Sequence, residues 1–130
     1  MKLKTFSIVW AVIYLGFGLG ILFIPIQLME TFGVTLDSNS TMMARILGAA
    51  LTAYGLTFWL NRNLPASDKA WHNLLLTSLI YNIVVIPIVL MALLDGVMNA
   101  MGWMPFGQHI FLAATFGYFT FRIKQEIKST

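Results

Sequence analysis

Cysteine is absent from this chain of 130 residues. Without thiols there can be no disulfides, thiolate catalysis, iron–sulfur ligation or cysteine zinc sites. Charge is also scarce, because 10% of the residues are charged and 58% are hydrophobic, whereas about a quarter of a soluble domain is charged. The charged residues form short clusters between long apolar runs, a layout typical of membrane proteins. No basic stripe is interleaved with aromatic residues, which excludes nucleic acid as a partner.

Four apolar segments stand out, at about residues 6–28, 42–60, 74–94 and 103–121. Each is close to the ~20 residues that a helix needs to cross a hydrocarbon core of ~30 Å. A backbone in lipid must satisfy its own hydrogen bonds, so these segments are predicted to be helices. Short links make consecutive helices antiparallel neighbours. The sequence therefore predicts an all-α membrane protein, a single up-down-up-down bundle of four transmembrane helices covering residues 1–130.

The distribution of basic residues predicts the orientation of this bundle. With four spans, seven of the eight Lys and Arg residues fall on one side of the membrane. They are Lys2, Lys4, Arg62, Lys69, Arg122, Lys124 and Lys128. The opposite links carry Glu30, Asp37 and Asp95 and no basic residue. By the positive-inside rule both termini are predicted to be cytoplasmic. The first segment is too long for a signal peptide and lacks an A-x-A-like site, so we expect it to be retained.

Small residues recur in three of the predicted spans. GFGLG at 16–20 lacks the spacing and the strand-to-helix context of a dinucleotide fingerprint, so close helix contact is the preferred interpretation. The second span carries Gly48, Ala49, Thr52, Ala53 and Gly55. The fourth has Ala113 and Gly117 one turn apart. These faces could pack within one chain or between chains.

Four polar residues inside the predicted spans are candidates for a ligand-binding site: Arg45, Asn82, Gln108 and His109. Polar groups in a bilayer are costly and often functional. At 1.5 Å per residue, Arg45 lies about 6 Å, His109 about 9 Å and Asn82 about 20 Å from the outer surface. Gln108 shares the outer quarter with Arg45 and His109.

Arg45 is the only Lys or Arg residue predicted to lie in the outer half of the bundle. Its side chain could extend to the outer headgroups and pair with Glu30 or Asp95. Alternatively it could face inward and, with His109, bind an anionic or carbonyl-bearing ligand. A contact with another subunit is the third interpretation.

His109 and Asn82 also have structural interpretations, as hydrogen-bonded packing residues between helices. The only other histidine, His72, lies at the inner end of the third span. Bis-histidine haem within one chain is therefore excluded, because both ligands must lie at nearly one depth. All five carboxylates lie at span ends or in links, which argues against a proton-coupled transporter. No metal site is predicted.

Two stretches resemble the DoxX-like family of small four-helix bacterial membrane proteins. They are PIQLMETFGV at 25–34 and RILGAALTAYGL at 45–56, the latter followed by Trp59 and Arg62. In that family a Pro and a Phe-Gly pair close the first span, and a basic residue and glycines open the second. The corresponding residues here are Pro25, Phe32, Gly33, Arg45, Gly48 and Gly55. The resemblance implies a four-span fold in the bacterial inner membrane, and some members are associated with quinone-linked or redox complexes.

Two functions fit these observations. One is a non-catalytic accessory subunit of a larger membrane complex, since minimal links and eight methionines suit adaptable contacts with other proteins. The other is a small protein that binds or transports a quinone, a lipid or another small hydrophobic molecule in the outer half of the bundle. A membrane enzyme would need a nucleophile–base pair, a metal set or clustered carboxylates, and none is present. We expect no catalytic residues and no resident cofactor. The expected partners are the lipid bilayer and either other membrane subunits or further copies of the chain.

Overall fold

The computed structural model describes residues 3–66 and 68–129, with side chains up to residue 123. Every regular element in this part of the chain is helical. The helices are α1 (Leu3–Phe23), α2 (Pro25–Thr31), α3 (Ser38–Asn61), α4 (Lys69–Leu94) and α5 (Trp103–Ser129), and a 3₁₀ turn (Ala100–Gly102) precedes α5. The all-α prediction is confirmed. Lys2 and the side chains of Lys124 and Lys128, which entered the orientation argument, lie outside the described part.

Among the described residues, three helices are long and apolar enough to cross a membrane, namely α1, α3 and α4. The helix α5 has 27 residues, but Gln108 and His109 lower the apolarity of its first half. Its last turns carry charged residues. Length and composition therefore support three of the four predicted spans directly.

The predicted first span, 6–28, is two helices in the structure. The break falls at Ile24, between α1 and α2. Pro25 has no N–H to donate to a preceding carbonyl, but it is well suited to the first position of a new helix, which it occupies. At the other end of α2, Gly33 adopts a φ of 81°, which favours glycine. Its N–H donates to the Glu30 carbonyl at 2.9 Å.

Polar caps start α3 and α4 several residues before their apolar segments begin. The Asp37 carboxylate accepts from the Ser40 backbone N–H at 2.8 Å, and the Ser40 hydroxyl accepts from the Asp37 N–H at 2.8 Å. This reciprocal pair is a capping box. At α4, the Asp68 carboxylate accepts from the Ala70 N–H at 2.8 Å. The predicted starts at 42 and 74 were late because the first turn of α3 is polar and that of α4 contains Lys69 and His72.

The helices form two compact units, Met1–Asn63 and Leu64–Thr130. In the first unit, α1 packs along α3, with Phe6, Tyr14 and Phe58 in its buried core. In the second, α4 packs along α5, and Leu75 and Phe116 are fully buried. The expectation of one domain over residues 1–130 stays a prediction.

Glycines bring α1 and α3 into direct backbone contact. A Cβ atom added at Gly18 would lie 2.6 Å from the Thr52 backbone nitrogen, and one at Gly48 would lie 2.6 Å from the Leu22 nitrogen. At Gly55 the corresponding distance to the Leu15 nitrogen is 2.8 Å. These separations leave no space for a side chain, so the prediction of small-residue packing is confirmed within the chain.

The small-residue face of α3 is narrower than predicted. Gly48 and Gly55 are buried and Thr52 is half-buried, whereas Ala49 and Ala53 are exposed. The reason is helical periodicity, since positions 48, 52 and 55 share one face and 49 and 53 lie beside it. In the second unit, a Cβ at Gly117 would meet Leu79 only at an ordinary 3.7 Å. The contact there does not require glycine.

Candidate ligand-binding site

A chain of hydrogen bonds runs along the buried face of α4. The Ser78 hydroxyl donates to the Leu74 carbonyl, and the Asn82 side-chain amide donates through Nδ2 to the Ser78 carbonyl at 2.8 Å. Ser78 and Asn82 are completely buried. They lie one turn apart, so both project from the same side of the helix. Each bond returns to the preceding turn, which leaves Asn82 Oδ1 available for a group outside α4.

That group is the imidazole of His109 on α5. Its Nδ1 lies 2.8 Å from Asn82 Oδ1, a normal hydrogen-bond distance. His109 is half-buried, so the pair joins a buried amide to a ring at the edge of the α4–α5 contact. Two of the four residues predicted from the sequence are thus brought together.

Tyr81 packs against the imidazole and was missed by the sequence reasoning. Its ring meets that of His109 edge-to-face, with centroids 6.2 Å apart and an interplanar angle of 68°. Such a T-shaped arrangement is favourable for aromatic rings. The signal that could have identified Tyr81 is its hydroxyl group and its position next to Asn82 in the sequence. Gln108 is half-buried next to His109 in the chain, and no hydrogen bond of its side chain is seen within the described part.

Asn82 and His109 are in contact, although their estimated depths differed by about 11 Å. The estimate counted residues along α4 and along α5 from a common level at the outer surface. In the structure, Gly102, the residue before α5, packs against Leu93 in the last turn of α4. A Cβ at Gly102 would lie 2.8 Å from a Leu93 methyl group and 2.9 Å from Met98 Cβ.

Arg45 belongs to the first unit, whereas Asn82, Gln108 and His109 belong to the second. The Arg45 side chain is exposed on α3. Within the described residues it makes no hydrogen bond or ion pair. The pairing with Glu30 that one interpretation of Arg45 allowed does not form, and Glu30 is an exposed residue of the same unit.

The described residues contain no group of three or more His, Asp or Glu side chains that could hold a metal ion. The arrangement at α4 and α5 is therefore a hydrogen-bonding site built from one amide, one imidazole and one neighbouring phenol ring. The fold defines the class as a helical protein with three membrane-capable helices. The chain matches no protein-family model, no curated protein and no solved structure.

Proposed function

We propose that the chain is a four-span integral protein of the bacterial inner membrane with both termini in the cytoplasm. The three membrane-capable helices support this, as does the length of α5, whose 27 residues extend about 40 Å. Its polar residue His109 is bonded to Asn82, which lowers the cost of placing it in lipid. The one-sided basic residues and the DoxX-like resemblance favour the orientation and the setting.

Single cysteine substitutions test this topology without background labelling, because the native chain has no cysteine. Thr35→Cys, Val97→Cys, Asn63→Cys and Thr130→Cys are labelled in intact cells with a membrane-impermeant maleimide. We expect labelling from outside at 35 and 97 only. Labelling of Thr130→Cys from outside would mean that α5 does not cross, and would leave three spans.

Within this membrane protein, the function best supported is that of a non-catalytic accessory subunit of a larger complex. The observation that carries this is the extent of the exposed apolar surface. Within the part of the chain whose side chains are described, thirty large hydrophobic side chains are exposed, including five of the eight methionines of the sequence. Lipid covers such a surface as well as protein does, but flexible Met side chains suit irregular protein contacts. The exposed methionines are Met42, Met43, Met91, Met101 and Met104.

Photo-crosslinking in native membranes distinguishes these two coverings. A photoreactive amino acid is placed at Met43 on α3 and at Met91 on α4, which are 62% and 61% exposed. The control position is Asn63, which is exposed in a polar link. A subunit should give one protein adduct of constant mass at position 43 or 91. Adducts with lipid alone at both positions would contradict the proposal.

The same experiment bears on Arg45, which we assign to the outer headgroup region by snorkelling. Arg45→Ala should then leave folding and the crosslinked adduct unchanged. Loss of the adduct in this variant would instead make Arg45 a subunit contact.

A second function, the binding of a small hydrophobic molecule such as a quinone or lipid, is favoured by the Asn82–His109 hydrogen bond. A completely buried amide is used here to orient a half-buried imidazole, and intramembrane polar groups of this kind often mark ligand sites. Its test is mass spectrometry of small molecules extracted from the purified protein. A bound molecule should be lost in His109→Phe and kept in His72→Phe. Equal recovery from both variants would contradict this site.

A further inference from the structure

We infer that Asn82 holds His109 in the tautomer with hydrogen on Nδ1, so that Nε2 offers a lone pair to a hydroxyl-bearing apolar ligand, such as a phenol or a hydroquinone. The inference rests on the second proposed function and deepens it. It turns a general preference for hydrophobic molecules into a preference for hydrogen-bond donors.

The orientation of the Asn82 amide is the first step. Its Nδ2 lies 2.8 Å from the Ser78 carbonyl oxygen. If the amide were reversed, Oδ1 would face that oxygen, and two acceptors would meet without a hydrogen between them. The amide oxygen is therefore the atom that faces His109, at 2.8 Å from Nδ1.

The protonation of His109 follows from this orientation. An amide oxygen can only accept, so Nδ1 must be the donor. A neutral imidazole carries one hydrogen, which leaves Nε2 as an acceptor. The bond from Asn82 thus selects the tautomer in the way that outer-shell partners do for ligating histidines.

Nε2 has no hydrogen-bond partner among the described residues, and the half-buried imidazole packs edge-to-face with the Tyr81 ring. An unpaired acceptor in partly apolar surroundings is unfavourable, and a donating hydroxyl relieves that cost. A carbonyl or ether oxygen cannot do so, because it also accepts. We therefore expect a hydroxyl ligand to bind about five- to tenfold more tightly than its methyl ether, the effect of one net hydrogen bond.

The tautomer can be measured directly, because the chain has only two histidines. Nitrogen NMR is recorded on the full chain in detergent, labelled at the imidazole nitrogens, at about pH 8, where an ordinary imidazole is neutral. His72 is the internal reference, and His72→Gln assigns the two spectra. We expect a protonated Nδ1 and an unprotonated Nε2 at His109. In Asn82→Leu the His109 signals should move toward those of His72. A protonated Nε2 in the native protein would overturn the inference.

Ligand preference is measured with para-nonylphenol and its methyl ether, which differ only in the donor. The expected result is tighter binding of the phenol by the native chain and by His72→Phe, with the difference lost in His109→Phe. Equal affinities in the native chain would overturn the donor preference while leaving ligand binding in place. If neither probe binds, both the inference and the second proposed function fail, whereas the accessory-subunit proposal is unaffected.

Discussion

Gly18 is, with Gly48, one of the two residues at which the α1–α3 contact is closest, and it provides the sharpest test at this scale. Its hypothetical Cβ lies 2.6 Å from backbone and 2.7 Å from the Thr52 side-chain oxygen. We expect Gly18→Ala to lower the free energy of unfolding by about 1–3 kcal/mol, because the helices must separate to admit the methyl group. The measurement is denaturant titration of the purified protein in detergent.

Gly16 in the same helix is the matched control, since nothing lies within 4 Å of its hypothetical Cβ. Gly16→Ala should leave stability unchanged or raise it slightly, because alanine is the better helix former. Equal losses in both variants would show that helix flexibility, not close packing, explains the glycines.

At the residue scale, the sequence identified the residues of the candidate site better than the contacts between them. Asn82 and His109 were recognised as costly polar groups inside predicted spans, but their contact depends on how α4 and α5 pack against each other, which periodicity does not encode. Tyr81 was missed because an aromatic residue in an apolar segment resembles any other core residue. Arg45 was identified as unusual, yet its exposure depends on which face of α3 meets α1.

At the scale of elements, the end of α3 shows how a side chain of one helix satisfies a terminal carbonyl of another. The last carbonyls of a helix have no intrahelical partner, and the Ser7 hydroxyl of α1 donates to the Phe58 carbonyl at 2.6 Å in the buried contact. Ser7→Ala should destabilise the protein by about 0.6 kcal/mol, and by no more than about 1.7 kcal/mol, the range for hydrogen bonds between membrane helices. Denaturant titration provides the measurement.

Thr57→Ala is the control for Ser7→Ala. The Thr57 hydroxyl donates to the Ala53 carbonyl of its own helix and is exposed. Its removal should have no measurable effect on the α1–α3 contact. A Ser7→Ala variant as stable as the native protein would show that the interhelical bond contributes no net stability.

The start of α3 should respond to acid. Hydrogen bonds from the Ser40 side chain and backbone lower the pKa of Asp37 below its ordinary 3.8. A depressed pKa means that the cap stabilises the helix above pH 3.8, and that this contribution is lost as the pH falls through the lower, folded value. Amide hydrogen exchange at Ser40 and Thr41 should therefore show increasing opening in that acidic range.

Asp37→Asn separates the charge from the cap, because asparagine also caps helices but does not titrate there. Its amide protection at Ser40 should be nearly independent of pH in the same range once intrinsic exchange is subtracted. The same acid-induced opening in this variant would rule out Asp37 as the titrating group.

Helix types and approximate positions could be predicted from the apolar runs, but helix ends could not. The capping residues Asp37 and Asp68 start α3 and α4 in polar sequence, outside the segments that apolarity detects. The break at Ile24 required weighing Pro25 against a continuous apolar run. In each case a local hydrogen bond or its absence decided the boundary.

At the scale of the whole molecule, the exposed apolar side chains demand a nonaqueous environment. Soluble proteins rarely expose contiguous apolar patches beyond a few hundred Å², whereas here Leu60 and Leu94, each at the C-terminal end of a membrane-capable helix, are both 73% exposed. We expect the protein to remain in the membrane fraction after washing with alkaline carbonate and to enter the detergent phase on partitioning. Release into the carbonate supernatant would contradict integral insertion.

The glycine contacts between α1 and α3 also determine how this pair can respond to its surroundings. Gly18 and Gly48 place the backbones of the two helices in direct contact. If one helix slid along the other by a residue, a side chain would have to occupy the space that a glycine now leaves free. The two helices therefore resist sliding, and the length of the pair is fixed. In the proposed membrane setting, a thicker or thinner bilayer would be matched by tilting the pair as a whole or by deforming the lipid around it.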